Sequence, residues 1–79
     1  MPAIKYHEGC WAALHEVSAR VWDSSQEVST AALASRRDWN ADLERRIAAG
    51  ASADWIAYRR GGIEALTDLL SIAPLTREA

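Results

Sequence analysis

Phenylalanine is missing from this chain, and cysteine occurs once, at Cys10. A lone thiol excludes an internal disulfide. With no signal-peptide-like apolar segment at the N-terminus, it leads us to expect a soluble chain in a reducing, cytoplasmic setting. The only prolines, Pro2 and Pro74, lie near the two ends, so everything between them is free of the strongest helix breaker. No apolar run approaches the roughly 20 residues needed to cross a bilayer, and no membrane role is expected. Excess positive charge is lacking too. The formal net charge is −2, which argues against a nucleic-acid polyelectrolyte as the main partner. Lys5 is the only lysine beside eight arginines, a bias that a GC-rich genome produces without functional meaning.

What is present is tryptophan, four residues of it in 79. A chain of this length is one domain near the lower limit for a self-sufficient core, so indoles that bury large areas carry unusual weight. The pattern is helical throughout. Ser24-Ser25-Gln26-Glu27 has the Ser-x-x-Glu form of a capping box, in which each end of the motif satisfies an orphan backbone N–H. It predicts a helix over about 25–49 with Val28, Ala32, Ser35, Trp39 and Leu43 in one arc, Ile47 on its flank, and Thr30, Arg37 and Glu44 opposite.

Gly50 supplies a left-handed stop, and Ser52 with Asp54 opens a second helix over about 53–72. The connection is short enough to fold the two back as an antiparallel hairpin. Trp55, Tyr58, Gly62, Ile63, Leu66, Leu69 and Leu70 share the apolar face of the second arm, and Arg60, Glu64, Asp68 and Ser71 lie opposite. This helix is expected to stop before Pro74, leaving 74–79 as a short tail.

An N-terminal helix is expected over about 6–22, its start blurred by Gly9. Ile4, His7, Trp11, Leu14, Ser18, Val21 and Trp22 would form its inner face, Cys10 and Val17 its edge, and Lys5, Glu16, Arg20 and Asp23 its outside. The junction at Trp22-Asp23-Ser24-Ser25 is either a break or a bend in one long helix to Gly50. The competition of Asp and Ser side chains for local backbone groups favours the break. The expectation is an all-α, three-helix single domain (1–79), with room to dimerise into a larger bundle.

Candidate chemistry is sparse. His7, Cys10 and His15 are too few and too scattered for a structural metal site, which wants four ligands in paired clusters, so no metal or other cofactor is expected. Nothing beside Cys10 supplies an oxyanion hole, and no catalytic residues are assigned. The pairs Arg36-Arg37, Arg45-Arg46 and Arg59-Arg60 split across their helices and interleave with Asp38, Asp42, Glu44 and Glu64, as a solvated, salt-bridged face does. A helix-turn-helix reading would take Leu43 to Gly50 as first helix and Ala53 to Arg60 as recognition helix, but the apolar face continues through Gly61-Gly62 to Leu66 and Leu70.

Gly62 lies on that face and marks a close helix contact. Arg59 falls inside the apolar arc, either snorkelling or anchoring an interface. With Trp55, Tyr58, Ile56 and Arg60 it makes the candidate protein-interaction surface. Leu33, Ile56 and Ile72 are left over from the main faces and would be covered if hairpin packed on hairpin in a dimer.

The function expected is a non-enzymatic protein-binding module: an adaptor, assembly factor or inhibitor of the kind a phage or mobile element directs at a host complex. The alternatives are a small DNA-binding regulator built on the Gly50 turn and a phage structural or assembly component.

Overall fold

A computed structural model of the protein describes the backbone of residues 2–78 and the side chains of residues 2–72. Three helices, α1 (Pro2–Ser24), α2 (Val28–Ala48) and α3 (Ala53–Glu78), run up, down and up. The fold is all-α, and α3 packs against both other helices. The bundle measures 43 × 20 × 20 Å.

The hairpin of α2 and α3 forms around Gly50, whose φ of 78° is the left-handed conformation that glycine adopts without a Cβ penalty. The Gly50 N–H donates to the Ile47 carbonyl at 3.1 Å and the Ala51 N–H to the Arg46 carbonyl at 2.9 Å, the paired bonds of a Schellman stop. Two residues later Ser52 occupies the N-cap position, its carbonyl accepting the Ile56 N–H at 3.1 Å. Trp39 and Leu66 lie in the core between the arms, as the hairpin pattern requires.

The other junction breaks, but not through the capping box. Ser24 is the last residue of α1, and Ser25 takes φ 55° to turn the chain. Glu27, in extended conformation, becomes the N-cap of α2, and its carbonyl accepts the Ala31 N–H at 2.9 Å. With Ser24 spent in closing α1, a box spanning Ser24 and Glu27 cannot form. The C-terminal stop is also displaced: α3 continues through Pro74 to Glu78, so residues 74–78 are helix and not tail, and Ala79 lies outside the described residues. Proline biases the preceding residue away from helix and removes one backbone bond, yet the remaining ladder can carry a helix past it.

The largest departure concerns α1. Its packed side is Gly9, Ala13 and Val17, with Tyr6, Cys10 and Val21 partly buried beside them. Ile4, Trp11, Leu14 and Trp22, expected on the inner face from their helical spacing, face solvent. The reason is a close helix crossing. A Cβ added at Gly9 would fall on the carbonyl of Tyr58, and one added at Gly61 on the carbonyl of Tyr6. The two backbones touch through a reciprocal pair of Tyr-x-x-Gly segments (Tyr6 to Gly9, Tyr58 to Gly61), and Cys10 Sγ donates to the Gly61 carbonyl at 3.1 Å. At that separation α1 can only turn small residues inward.

Helix propensity alone would have Gly9→Ala and Gly61→Ala stabilise the protein by up to about 1 kcal/mol each. The crossing reverses the sign: each substitution is expected to lower the urea-unfolding free energy by about 2 kcal/mol or more, because rigid backbone must move. A gain in stability from either would show that the helices do not meet at these glycines.

Candidate interaction surface

Two constellations compete for a functional role, one between helices and one on the outside of α1. The inner one centres on Trp39, only 4% exposed. Its six-membered ring fills the space where Gly62 has no side chain, its face stacks on Tyr58 at 5.5 Å between centroids, and its Nε1 donates to Glu16 Oε1 at 3.2 Å. The Arg59 guanidinium lies over the same indole at 4.5 Å, a favourable cation–π distance.

Arg59 Nε also sits 2.7 Å from Asp42 Oδ2, as an ion pair off the hydrogen-bond line. Asp42 serves two arginines of its own helix as well, Arg46 at 2.6 Å and Arg45 at 3.1 Å. The Arg46 hydrogen bond holds the Asp42 carboxyl below the usual carboxylate range against an opposing push from burial, and the neighbouring Arg59 charge adds to the lowering.

These contacts redistribute the surface expected at Arg59, Trp55, Tyr58, Ile56 and Arg60. Tyr58 and Arg59 are engaged within the chain by Trp39 and Asp42, with the Arg59 guanidinium held over the indole at the rim of the core. Trp55 is half-exposed at the end of the bundle, with Lys5 Nζ 5.0 Å and Arg46 Cζ 5.6 Å from its ring centre, which ties the three helices together there. Of the five, only Trp55 and Arg60 are exposed, while Ile56, Tyr58 and Arg59 are partly buried. Gly62 touches the other hairpin arm through Trp39, while Gly61, placed off the apolar face by periodicity, is buried against α1. The residues read as leftovers stay scattered: Leu33 and Ile72 are exposed on different helices.

The residues considered for metal or nucleophilic chemistry are apart. His15 stacks on Trp11 at 5.0 Å, His7 meets Tyr6 edge-on at 5.9 Å, and burial pushes the Cys10 thiol pKa up. Among the described residues no three metal-ligating side chains gather, and no helix is long and apolar enough to cross a membrane. A shallow groove of about 350 Å³ between α2 and α3, lined by Leu43, Arg60, Ile63, Glu64, Thr67 and others, mixes both charge signs with apolar walls.

The outer constellation is the solvent face of α1. Ile4 is 56% exposed, Trp11 68%, Leu14 44% and Trp22 83%. At about 100° per residue they fall on one side of the helix, together with His7, His15 and Ser18 and opposite Gly9, Ala13 and Val17. The stripe runs roughly 27 Å at 1.5 Å per residue and holds no Asp, Glu, Lys or Arg. Its members were visible in the sequence as an apolar arc. What went unread was the second arc of small residues across the helix, the one that actually packs.

Comparisons with protein-family models, with curated proteins and with solved structures find no match to this chain. The geometry of the bundle is therefore the whole basis for a functional reading.

The Asp42 cluster makes its own prediction. Stabilisation from a carboxylate with a lowered folded-state pKa is complete above the unfolded value near pH 4 and is lost as pH falls through the folded value. Unfolding free energy measured from about pH 5 downward should decline, and Asp42→Asn should flatten part of that decline while costing about 1–2 kcal/mol at neutral pH. An unchanged acid profile in the variant would remove Asp42 from the account of stability.

Proposed function

We propose that the protein is a non-enzymatic binding module that docks a protein partner on the outer face of α1. One observation carries this reading: two of the four tryptophans, Trp11 and Trp22, stand in solvent on one helix face with Ile4 and Leu14, and no packing within the chain requires them there. A solvent face can be polar at no cost to the fold. Contiguous exposed apolar surface marks interaction sites, and tryptophan is the residue most enriched among binding hot spots. An adaptor, an assembly factor and an inhibitor all fit such a face.

The DNA-binding alternative has less support. α3 runs unbroken from Ala53 through both glycines, and Tyr58 and Arg59 of the would-be recognition helix are engaged with α2.

The test is to immobilise the chain and its Trp11→Ala/Trp22→Ala variant and compare what each retains from a lysate of the native host. Truncating two solvent-facing indoles should change folding stability by no more than about 0.5 kcal/mol yet abolish retention of the partner. Equal retention by both forms would place the docking surface elsewhere. Salt-sensitive retention on heparin, lost in Arg36→Ala/Arg37→Ala, would favour nucleic acid instead.

A further inference from the structure

We infer that the partner fitted by the outer face of α1 is a second copy of this chain, joined by antiparallel pairing of the two α1 helices across a two-fold axis that crosses their outer faces at the level of residue 13. This rests on the reading of that face as a docking surface and names its occupant.

Three features carry it. The first is the symmetry of the stripe. Ile4 and Trp22 lie equally far on either side of residue 13, and Trp11 and His15 do likewise. An antiparallel copy therefore sets the large Trp22 against the smaller Ile4 at both ends and Trp11 against His15 in the middle, with His7 beside Ser18. Parallel pairing would instead oppose each indole to its own copy and align the helix dipoles unfavourably.

The second feature is charge. With no Asp, Glu, Lys or Arg on the stripe, self-pairing buries no like charges, which an isologous contact between identical surfaces otherwise has to avoid. The flanks of α1 carry Lys5 and Arg20 against Glu8, Glu16 and Asp23, so they offer no basic rim for an anionic bilayer.

The third is area. At up to about 250 Å² per indole, the exposed fractions of Trp11 and Trp22 leave roughly 370 Å² in solvent, and Ile4 and Leu14 raise this to about 500 Å². Two copies together would bury up to about 1,000 Å², the lower bound for a specific interface and a size that fits a weak, concentration-dependent dimer.

The experiment is sedimentation of the full chain from micromolar to near-millimolar concentration. The expected species has twice the chain mass, and Trp22→Glu should weaken association by about thirtyfold or more with helical circular dichroism unchanged. Register is tested in a Cys10→Ser background by oxidising a mixture of His7→Cys and Ser18→Cys chains. Disulfide-linked dimers should form across the two variants and not within either alone.

A monomer at every concentration overturns self-pairing. So do a dimer indifferent to Trp22→Glu, cross-linking within a single variant, and a monomer that binds anionic vesicles. If that monomer still shows Trp11 and Trp22 fully open to acrylamide quenching, the docking-face reading survives without this occupant. Unfolding of both Trp22→Glu and Trp11→Glu would overturn both readings together.

Discussion

The close crossing of α1 and α3 constrains everything else in this bundle. Where Gly9 meets the Tyr58 carbonyl and Gly61 the Tyr6 carbonyl, the backbones stand too near for any β-carbon at the contact. A helix held at that distance can turn only small side chains toward its neighbour, and α1 presents Gly9, Ala13 and Val17. Its bulky apolar residues have no room on that side. The crossing thus explains why Ile4, Trp11, Leu14 and Trp22 are outside. It does not explain why they are apolar, since serine or glutamate would serve a solvent face equally well. That unexplained hydrophobicity is what supports the proposed docking face.

Bringing α1 and α3 together leaves α2 to close the third side, and Trp39 does this with one side chain. It meets Gly62 and Tyr58 on α3, carries Arg59 on its face and reaches Glu16 on α1 through its indole N–H. A buried indole needs such a partner for its N–H, and Glu16 supplies one from the side of α1 next to the crossing. Charge follows the same geometry. Arg59 is drawn to the rim of the core by the indole beneath it, and Asp42 on α2 receives it, so the pair locks the hairpin arms just outside the apolar layer. Arg20 repeats the arrangement between α1 and α2, reaching Asp38 at 3.2 Å and Glu16 at 3.7 Å.

The hairpin was legible because its signals are local. Gly50 and Ser52 state the turn within a few residues, and the spacing of Trp39 and Leu66 states the buried faces. The orientation of α1 was not, because it depends on contacts between residues far apart in the chain, Gly9 with Tyr58 and Tyr6 with Gly61. Hydrophobic periodicity weights large side chains, and on α1 these form the better-defined arc. The competing clue was glycine. Gly62 drew attention as a costly mid-helix residue that implies close approach, and the same reasoning applied to Gly9 and Gly61, each three residues after a tyrosine, would have turned α1 over. The capping box failed for a related reason: its four residues had to end one helix as well as begin the next. Of the residues read as a candidate surface on α3, Tyr58 and Arg59 look accessible until Trp39 and Asp42 are placed beside them.

Small residues at the crossing also limit how much apolar surface the bundle hides. Among the described residues the enclosed core is Ala13, Val17, Ala31, Ala32, Trp39 and Leu66, with Ser29 and Ser35 buried among them. Alanine and serine bury little apolar surface, so Trp39 and Leu66 are the largest side chains in this enclosed set, with Tyr58, Ile63, Leu69 and Leu70 packed partly buried against it. A chain of this length has little margin of burial to give away. It nevertheless leaves two indoles in water. A partner docked over them, as proposed, would bind the folded form and not the unfolded chain, so by mass action it would stabilise the fold as well as the complex. In the proposed complex, folding and docking would be linked through a single helix, whose small face packs the bundle and whose large face would be covered by the partner.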